Sequence, residues 1–226
     1  MNPVLADPSA LDHLPLKGQR GEFVRLLSKL RDAGEEDGSL VVCLTSALSG
    51  EGTSTVAAQF AASAAAARQN SRAILVEGNL QAPAVHSLLD LDNDVGVIDV
   101  CSGRLSVDEV IQRTEASALD AITAGAEGRT MAPGTLDSLP FGALVRELRD
   151  HYSLVVVDCS PLASGSAGTH LSRKEALTVL VVQASSTRRE VVQGAAHELS
   201  LMAAKPVGLL LNRRKYFIPS FVYRRI

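Results

Sequence analysis

A short segment rich in glycine and hydroxyl groups has the composition of a loop that binds phosphate. Gly50 and Gly52 follow an apolar run, and a helix-forming segment of small residues begins at Thr53. Glycines allow backbone N–H groups to point inward, and the helix N-terminus behind them attracts anions. A hydroxyl directly after such a loop can bind magnesium, and Ser54 occupies that position. The predicted phosphate-binding residues are Gly50, Glu51, Gly52, Thr53, Ser54 and Thr55.

The loop departs from the P-loop pattern at one charged position. That pattern ends in Gly-Lys-Ser/Thr, and Thr53 stands where the lysine would be. A charge-assisted hydrogen bond contributes about 1.5–3 kcal/mol, so its loss weakens ground-state binding by about ten- to a hundredfold. Phosphoryl transfer depends more steeply on placed charge, since one well-positioned cation contributes a factor of about 10³–10⁵ in rate. We therefore expect nucleotide binding to be weak or absent and catalysis to be lost.

Apolar runs and helical segments alternate along the chain and predict the elements that position this loop. Short continuous apolar runs indicate strands covered on both faces, and they span 39–45, 73–77, 119–123, 154–158, 177–183 and 207–211. Helical segments begin at Glu22 and span 53–68, 106–113, 141–151 and 188–203. This order predicts an α/β fold with a doubly wound, mainly parallel sheet, helices on both faces and ligands at the carboxyl ends of the strands.

The charge balance, the cysteine spacing and the lengths of the apolar stretches exclude several classes of protein. The 226 residues include 22 basic and 25 acidic side chains, a net charge of −3, which gives no electrostatic case for nucleic acid. Cys43, Cys101 and Cys159 lack CxxC spacing, as expected for a reduced protein. There is neither a charged leader before an apolar run nor a stretch of about 20 lipid-compatible residues. We therefore expect a cytoplasmic protein.

The two ends differ in composition from the central region. Residues 1–20 contain three prolines and little apolar periodicity, which predicts a flexible arm. Residues 21–212 form the predicted domain that carries the phosphate-binding loop. Residues 213–226 mix basic and aromatic side chains, including Tyr216 and Tyr223, a mixture suited to docking on a partner or on an anionic bilayer surface. The alternative is a last strand or arm folded onto the domain with its charges in water.

Eight segments in a fixed order carry a resemblance to a known family. They are Glu22-x-x-Arg25, Thr45-Ser46 leading into Gly50-Glu51-Gly52-x-Ser54-Thr55, the second Walker-like segment 74–83, Gly96 and Gly103 around a short helix, Ile122-Thr123-Ala124-Gly125, the Walker B segment 152–161, Thr187-Arg188 and 208–213. From Glu22 to Lys215 the chain resembles the cytoplasmic ATPase domains of bacterial tyrosine kinases of capsule and exopolysaccharide synthesis, relatives of MinD and ParA. The resemblance implies a P-loop NTPase-like fold and ATP or ADP with Mg²⁺ as cofactor.

The resemblance also implies roles for individual residues. In the family, two aspartates of the second Walker segment organise magnesium and help deprotonate the acceptor tyrosine, while Asp158 supports the metal. Here Glu77 and Asn79 stand at those two positions and only Asp158 is unchanged. Asp158 is therefore either a metal site or a strand-end cap, and Glu77 is either the replacement carboxylate or a solvated acid. Asn212 matches an asparagine that contacts adenine in related ATPases, or it is a turn residue.

Assembly and partners follow from the same resemblance. The first-helix motif supports ring assembly in the family, which implies oligomerisation through Glu22 and Arg25, although Ser28 stands at the third position of that motif. The family ends in a tyrosine cluster phosphorylated between subunits, whereas this tail holds only Tyr216 and Tyr223. The implied partners are the cytoplasmic face of a membrane polysaccharide co-polymerase, and an active tyrosine kinase or a second copy of the chain.

These observations predict a catalytically impaired, tyrosine-kinase-like P-loop protein that regulates or scaffolds exopolysaccharide or capsule biosynthesis and export. It would be cytoplasmic, with peripheral contact at the inner face of the plasma membrane. One alternative is an active ATP-dependent tyrosine autokinase or ATPase, with Asp158 and Glu77 as catalytic residues and Arg188 or Arg189 as the missing cation. Another is a ParA- or MinD-like positioning ATPase.

Overall fold

The computed structural model describes residues 20–34, 38–67, 72–116, 118–129, 140–164, 176–202 and 205–214. The strands in these ranges are β1 Leu40–Ser46, β2 Ala73–Glu77, β3 Gln112–Arg113, β4 Leu119–Ile122, β5 Leu154–Asp158, β6 Leu177–Gln183 and β7 Lys205–Asn212. The α-helices are α1 Arg20–Ala33, α2 Thr53–Ala65, α3 Val85–Leu89, α4 Val97–Cys101, α5 Val107–Val110, α6 Phe141–Arg149 and α7 Arg189–Leu201. Single 3₁₀ turns span Ala126–Arg129 and Leu162–Ser164.

The strands form one sheet in the order β3-β4-β2-β5-β1-β6-β7. Every neighbouring pair is parallel except β3 and β4, which are antiparallel. The predicted doubly wound, mainly parallel sheet is therefore confirmed. Because β1, β2 and β5 are adjacent, the loops after these three strands meet at one edge of the sheet, where open α/β folds bind ligands.

Helix α2 lies so close to the sheet because its side chains are small. Nearly all of its residues are buried, and they pack with the inward side chains of β1, β2 and β5 in one apolar cluster. Phe60 is fully buried at its centre, with its ring centroid 6.3 Å from that of Phe23 on α1. A second cluster on the opposite face of the sheet is formed with α4, α5 and α6. The loop before α2 is thus anchored at both ends by buried elements.

The predicted helix over 106–113 is wrong in its second half. A capping arrangement starts α5, because the Ser106 N–H and hydroxyl donate to the Glu109 carboxylate at 2.9 and 2.7 Å. The helix ends at Val110, and Gln112 enters β3, where its side-chain amide donates to the Asp92 carbonyl at 2.9 Å. Pairing with β4 therefore overrides the local helical pattern. Helices α3 and α4, of five residues each, are too short for periodicity to predict.

The limits of the predicted domain lie close to the ends of the described structure. Helix α1 begins at Arg20, one residue inside the predicted arm, and β7 ends at Asn212. The remainder of the arm and residues 215–226 lie outside the described residues, as do the predicted phosphorylation tyrosines Tyr216 and Tyr223. None of the helices within the described ranges is long and apolar enough to cross a lipid bilayer.

Candidate functional site

The glycine loop between β1 and α2 contains two glycines in the left-handed region of backbone conformation. Gly50 and Gly52 adopt positive φ angles of 82° and 88°. The first hydrogen bond that enters the helix runs from the Val56 N–H to the Gly52 carbonyl at 3.0 Å, so the earlier N–H groups of α2 have no acceptor within the helix. The N-cap residue is Gly52, which has no side chain to satisfy them. An anion therefore fits at this helix start.

Glu51 holds the loop against the sheet. Its residue is 3% exposed, and its carboxylate accepts hydrogen bonds from the Leu48 N–H at 2.9 Å and the Gln183 N–H at 3.0 Å. The hydroxyl of Thr187 donates to the same carboxylate. These bonds tie the loop to the end of β6, so Glu51 acts as a positioning residue within the predicted phosphate-binding set.

Asn212 fixes the loop from the end of β7. Its side-chain amide donates to the Glu51 carbonyl at 2.8 Å, and its Oδ1 accepts the Arg213 N–H at 2.8 Å. A Cβ on Gly52 would overlap the Asn212 amide, so glycine is needed there for space as well as for its positive φ. The structure thus brings Asn212 to the phosphate loop, and its contact with adenine stays a prediction.

Two acidic side chains lie side by side at the ends of adjacent strands. Glu77 of β2 is the register partner of Asp158 of β5, and both residues are 0% exposed. Glu77 accepts hydrogen bonds from the N–H groups of Val85 at 2.8 Å, Ala84 at 2.7 Å and Asn79 at 3.3 Å. The possibility of a solvated acid at this strand end is therefore wrong. Burial, together with the charge of Asp158, raises the pKa of Glu77 well above its usual value, although those N–H groups oppose the increase.

The Asp158 carboxylate is buried without a hydrogen-bond partner among the described residues. Burial raises its pKa to about 7, and the neighbouring Ser54 hydroxyl and Glu77 carboxyl counteract part of that increase. A buried carboxylate with unused oxygens is suited to a cation, because a cation stabilises the charged form that burial penalises. The pairing of Asp158 with Ser54 therefore fits the predicted magnesium ligands.

The neutral residue of the second Walker segment has a structural role. The Asn79 amide donates to the Ala82 carbonyl at 3.0 Å, and its Oδ1 accepts the Ser160 hydroxyl at 3.1 Å. Both bonds connect the turn after β2 to the segment after β5. The side chain therefore has defined partners that do not require a metal or a nucleotide.

The remaining predicted residues lie where their elements place them. Thr53 is 8% exposed in the first turn of α2, and Thr55 is half-buried. Glu22 and Arg25 are exposed on α1. Within the described ranges, no three His, Cys, Asp or Glu side chains form a metal-binding cluster, a finding compatible with magnesium, which binds through few carboxylates together with phosphates and water.

Sequence reasoning missed Arg213 as a residue of the site. Its Nη1 donates to the Gly50 carbonyl at 3.1 Å and to the Gln183 Oε1 at 3.2 Å. The available signal was a basic residue directly after the asparagine that ends the last strand. The positive φ of 55° that turns the chain at Arg213 is not visible in the residue pattern.

Comparisons with known proteins agree with this architecture. The tyrosine-protein kinase YwqD of Bacillus subtilis is 29% identical over 174 residues, which cover 77% of this chain and 72% of that protein. CapB of Staphylococcus aureus is 24% identical over 192 residues, covering 85% of this chain and 83% of CapB. The chain is a homologue of the bacterial tyrosine-protein kinases. The resemblance found in the sequence is thereby confirmed, although no protein-family model matches the chain.

Some relatives are longer proteins. The succinoglycan biosynthesis transport protein ExoP of Rhizobium meliloti is 28% identical over 184 residues, which cover 80% of this chain but only 23% of ExoP. This chain thus corresponds to about a quarter of that protein. The homologues are tyrosine kinases and proteins of polysaccharide biosynthesis and transport.

Solved structures of related proteins share the fold. The VpsO kinase domain is 28% identical, with a TM-score of 0.73 over 87% of this chain and 95% of that chain. The chimerical protein CapA2B2 has a TM-score of 0.78, with 95% of each chain covered at 24% identity. MinD of Pyrococcus horikoshii, solved with Mg-ADP, has a TM-score of 0.60 at 18% identity, over 83% of this chain and 76% of that chain. The P-loop NTPase-like fold predicted from the sequence is confirmed.

Proposed function

We propose that this protein is a catalytically impaired homologue of the bacterial tyrosine kinases, with a weak nucleotide site, and that it acts by binding partners in exopolysaccharide or capsule assembly. The main support for the proposal is a difference between the surroundings of Glu77 and Asp158. The Asp158 carboxylate is buried beside the Ser54 hydroxyl and the Glu77 carboxyl and accepts no hydrogen bond of normal geometry from the described residues, whereas the Glu77 carboxylate accepts backbone N–H groups. The residues suited to hold magnesium are present, and those suited to move a proton are engaged elsewhere.

Nucleotide binding is supported by the loop and by Asp158. The N–H groups at the start of α2 would hold phosphate oxygens, and Ser54 and Asp158 would hold Mg²⁺. Bound Mg²⁺ supplies neutralisation of phosphate charge. Thr53 contributes a short hydroxyl where the P-loop pattern has a lysine, so the nucleotide is held without that cation and its affinity is lower.

Phosphoryl transfer to tyrosine requires more than nucleotide binding. A general base must lie within hydrogen-bonding reach of the acceptor hydroxyl and must be able to take its proton. The Glu77 carboxylate is 0% exposed and already accepts three backbone hydrogen bonds. Asn79 is a neutral amide with its own structural partners. Neither residue supplies a base, which supports the impaired function.

The proposed partner is the cytoplasmic face of a membrane polysaccharide co-polymerase, together with an active tyrosine kinase or a second copy of the chain. Homology to ExoP, a succinoglycan biosynthesis transport protein, supports this class of partner. In this proposal the protein is cytoplasmic with peripheral membrane contact, residues 1–20 form an arm, and 213–226 form a docking tail with Tyr216 and Tyr223. Glu22 and Arg25 on the exposed face of α1 contribute to assembly.

Calorimetric titration with MgATP, combined with phosphotyrosine detection, tests the catalytic part. The purified protein should bind MgATP weakly, lose this binding in Asp158→Ala, and form no phosphotyrosine on prolonged incubation. Thr53→Lys should strengthen binding by about ten- to a hundredfold and still form no phosphotyrosine. Phosphotyrosine formed by the wild-type protein alone and lost in Asp158→Ala would contradict the proposal.

Pull-down of the co-polymerase from membranes tests the partner part. Wild type should retain the partner, whereas Arg25→Ala and deletion of 215–226 should each reduce its recovery. Lys29→Ala, which removes another exposed basic residue from the same helix, is the matched control for the loss of positive charge from α1. Normal recovery with both test variants would place the docking surface elsewhere.

The active-enzyme alternative is favoured by one observation. Arg213 places a guanidinium group at the glycine loop, so the loop is not devoid of positive charge. In that alternative, Arg213 compensates for Thr53, and Asp158 organises a productive metal site. The same phosphotyrosine assay decides between the two functions.

A further inference from the structure

A guanidinium group lies on the glycine loop although the loop itself contains no basic residue. The Arg213 Nη1 is 3.1 Å from the Gly50 carbonyl oxygen. The Arg213 Nε would be 3.8 Å from a Cβ built on Gly52. The side chain therefore spans the loop between its two positive-φ glycines, next to the uncapped N-terminus of α2.

Most of the hydrogen-bonding capacity of this guanidinium is unused. Arginine has five N–H donors arranged in a planar fork. Nη1 donates to the Gly50 carbonyl and to the Gln183 Oε1, while Nε and Nη2 have no acceptor among the described residues. A fork with free parallel N–H groups is suited to two oxygens of one phosphate group. The contact with Gly50 thus anchors the cation without saturating it.

The backbone around Arg213 is fixed by its neighbours. The Arg213 N–H donates to the Asn212 Oδ1 at 2.8 Å, and the Asn212 carbonyl accepts the Ala184 N–H at 2.9 Å. The Asn212 amide in turn donates to the Glu51 carbonyl at 2.8 Å. Because these bonds connect β6, β7 and the loop, the guanidinium is positioned before any ligand arrives.

We propose that Arg213 binds the di- or triphosphate group of a nucleotide at the glycine loop and supplies the positive charge that Thr53 does not. This inference rests on the proposed nucleotide site. It also replaces the sequence-based alternatives Arg188 and Arg189. All three arginines are exposed, but only Arg213 among them hydrogen-bonds to the glycine loop. The Arg213 side chain reaches the loop from the end of β7, whereas a lysine at position 53 would reach it from the first turn of α2.

The test is calorimetric titration of the full chain with MgATP, MgADP and inorganic tripolyphosphate, which lacks a base and a sugar. Arg213→Gln should weaken binding of all three by about ten- to a hundredfold, because one charge-assisted contact is lost. Arg213→Lys should have an intermediate effect, since it keeps the charge but not the fork. Arg189→Gln, a nearby loss of the same charge, should bind all three like the wild type.

A double variant separates phosphate binding from support of the loop. Thr53→Lys combined with Arg213→Gln should regain at least the affinity of the wild type, because a cation returns to the same phosphates. If the double variant still binds the three ligands as weakly as Arg213→Gln does, Arg213 stabilises the loop instead, and its proposed role in binding phosphate is overturned. If Arg213→Gln binds ATP and tripolyphosphate as tightly as the wild type does, the role of Arg213 is overturned while the nucleotide site stands. Absence of any binding by the wild type would overturn the nucleotide site and the role of Arg213 together.

Discussion

Glu77 and Asp158 are register partners on the adjacent parallel strands β2 and β5, and neither is exposed to solvent. The two carboxyl groups nevertheless have different surroundings. Glu77 accepts backbone N–H groups from the segment that starts α3, whereas Asp158 faces Ser54 at the start of α2. One acid therefore stabilises the fold of the second Walker segment, and the other is left for a cation.

The raised pKa of Asp158 predicts that stability falls as the pH rises. Its folded-state pKa of about 7 lies above the ordinary value of 3.8, so the folded state binds the proton more tightly than the unfolded chain. The resulting stabilisation is complete below pH 3.8 and is lost as the pH rises through 7. Without Mg²⁺, Asp158→Asn should therefore be more stable than the wild type by roughly 2–4 kcal/mol at pH 8 and should lose this advantage toward pH 4.

Urea unfolding between pH 4 and pH 8 in the presence of a chelator measures this difference. Asp90→Asn is the matched control, because Asp90 is an exposed carboxyl in a left-handed conformation that asparagine tolerates. The control should follow the wild type across the range. A constant difference between Asp158→Asn and the wild type at every pH would show that the pKa of Asp158 is the same in the folded and unfolded states.

The length of the Glu77 side chain predicts that replacing it with the shorter aspartate destabilises the protein. Glu77 reaches the Ala84 and Val85 N–H groups at 2.7 and 2.8 Å, and a side chain shorter by one methylene would leave these donors without a partner. Glu77→Asp should lower the free energy of unfolding by about 1–3 kcal/mol. Glu77→Gln keeps an acceptor oxygen at the same distance, so its free energy of unfolding should fall less than that of Glu77→Asp. Thermal or urea unfolding compares the two, and equal stability of Glu77→Asp and wild type would refute the structural role.

Sequence reasoning located most of the framework because the buried strands are continuous apolar runs. The predicted bounds of β2 and β5 agree with the structure at both ends. The short strand β3 was not predicted, because its pairing with β4 depends on tertiary contacts made by Gln112. Arg213 was missed for the same reason, since its contact with Gly50 joins positions far apart in sequence.

The burial of Glu51 predicts a large effect on stability from a residue within the phosphate loop. Its carboxylate accepts hydrogen bonds from Leu48, Gln183 and Thr187. Glu51→Ala leaves these donors unpaired and should cost about 2–4 kcal/mol, whereas Thr187→Val removes one donor and should cost about 1 kcal/mol. Chemical denaturation of both variants measures the two losses in free energy of unfolding. Equal losses would mean that only the contact with Thr187 matters.

The close approach of Gly52 to Asn212 predicts a specific energetic coupling between them. An alanine at position 52 would adopt an unfavourable φ of 88° and would also overlap the Asn212 amide. Gly50→Ala is the matched control, because its φ is 82° and nothing lies within 4 Å of the added Cβ. Gly50→Ala should therefore lower the free energy of unfolding only by the conformational cost, about 1 kcal/mol, while Gly52→Ala should lower it by about 2–4 kcal/mol.

Combining Gly52→Ala with Asn212→Ala removes the overlap. The double variant should therefore be more stable, by about 1 kcal/mol or more, than the sum of the two single losses predicts. Additive losses in urea unfolding would show that the loop shifts away from Asn212 without cost.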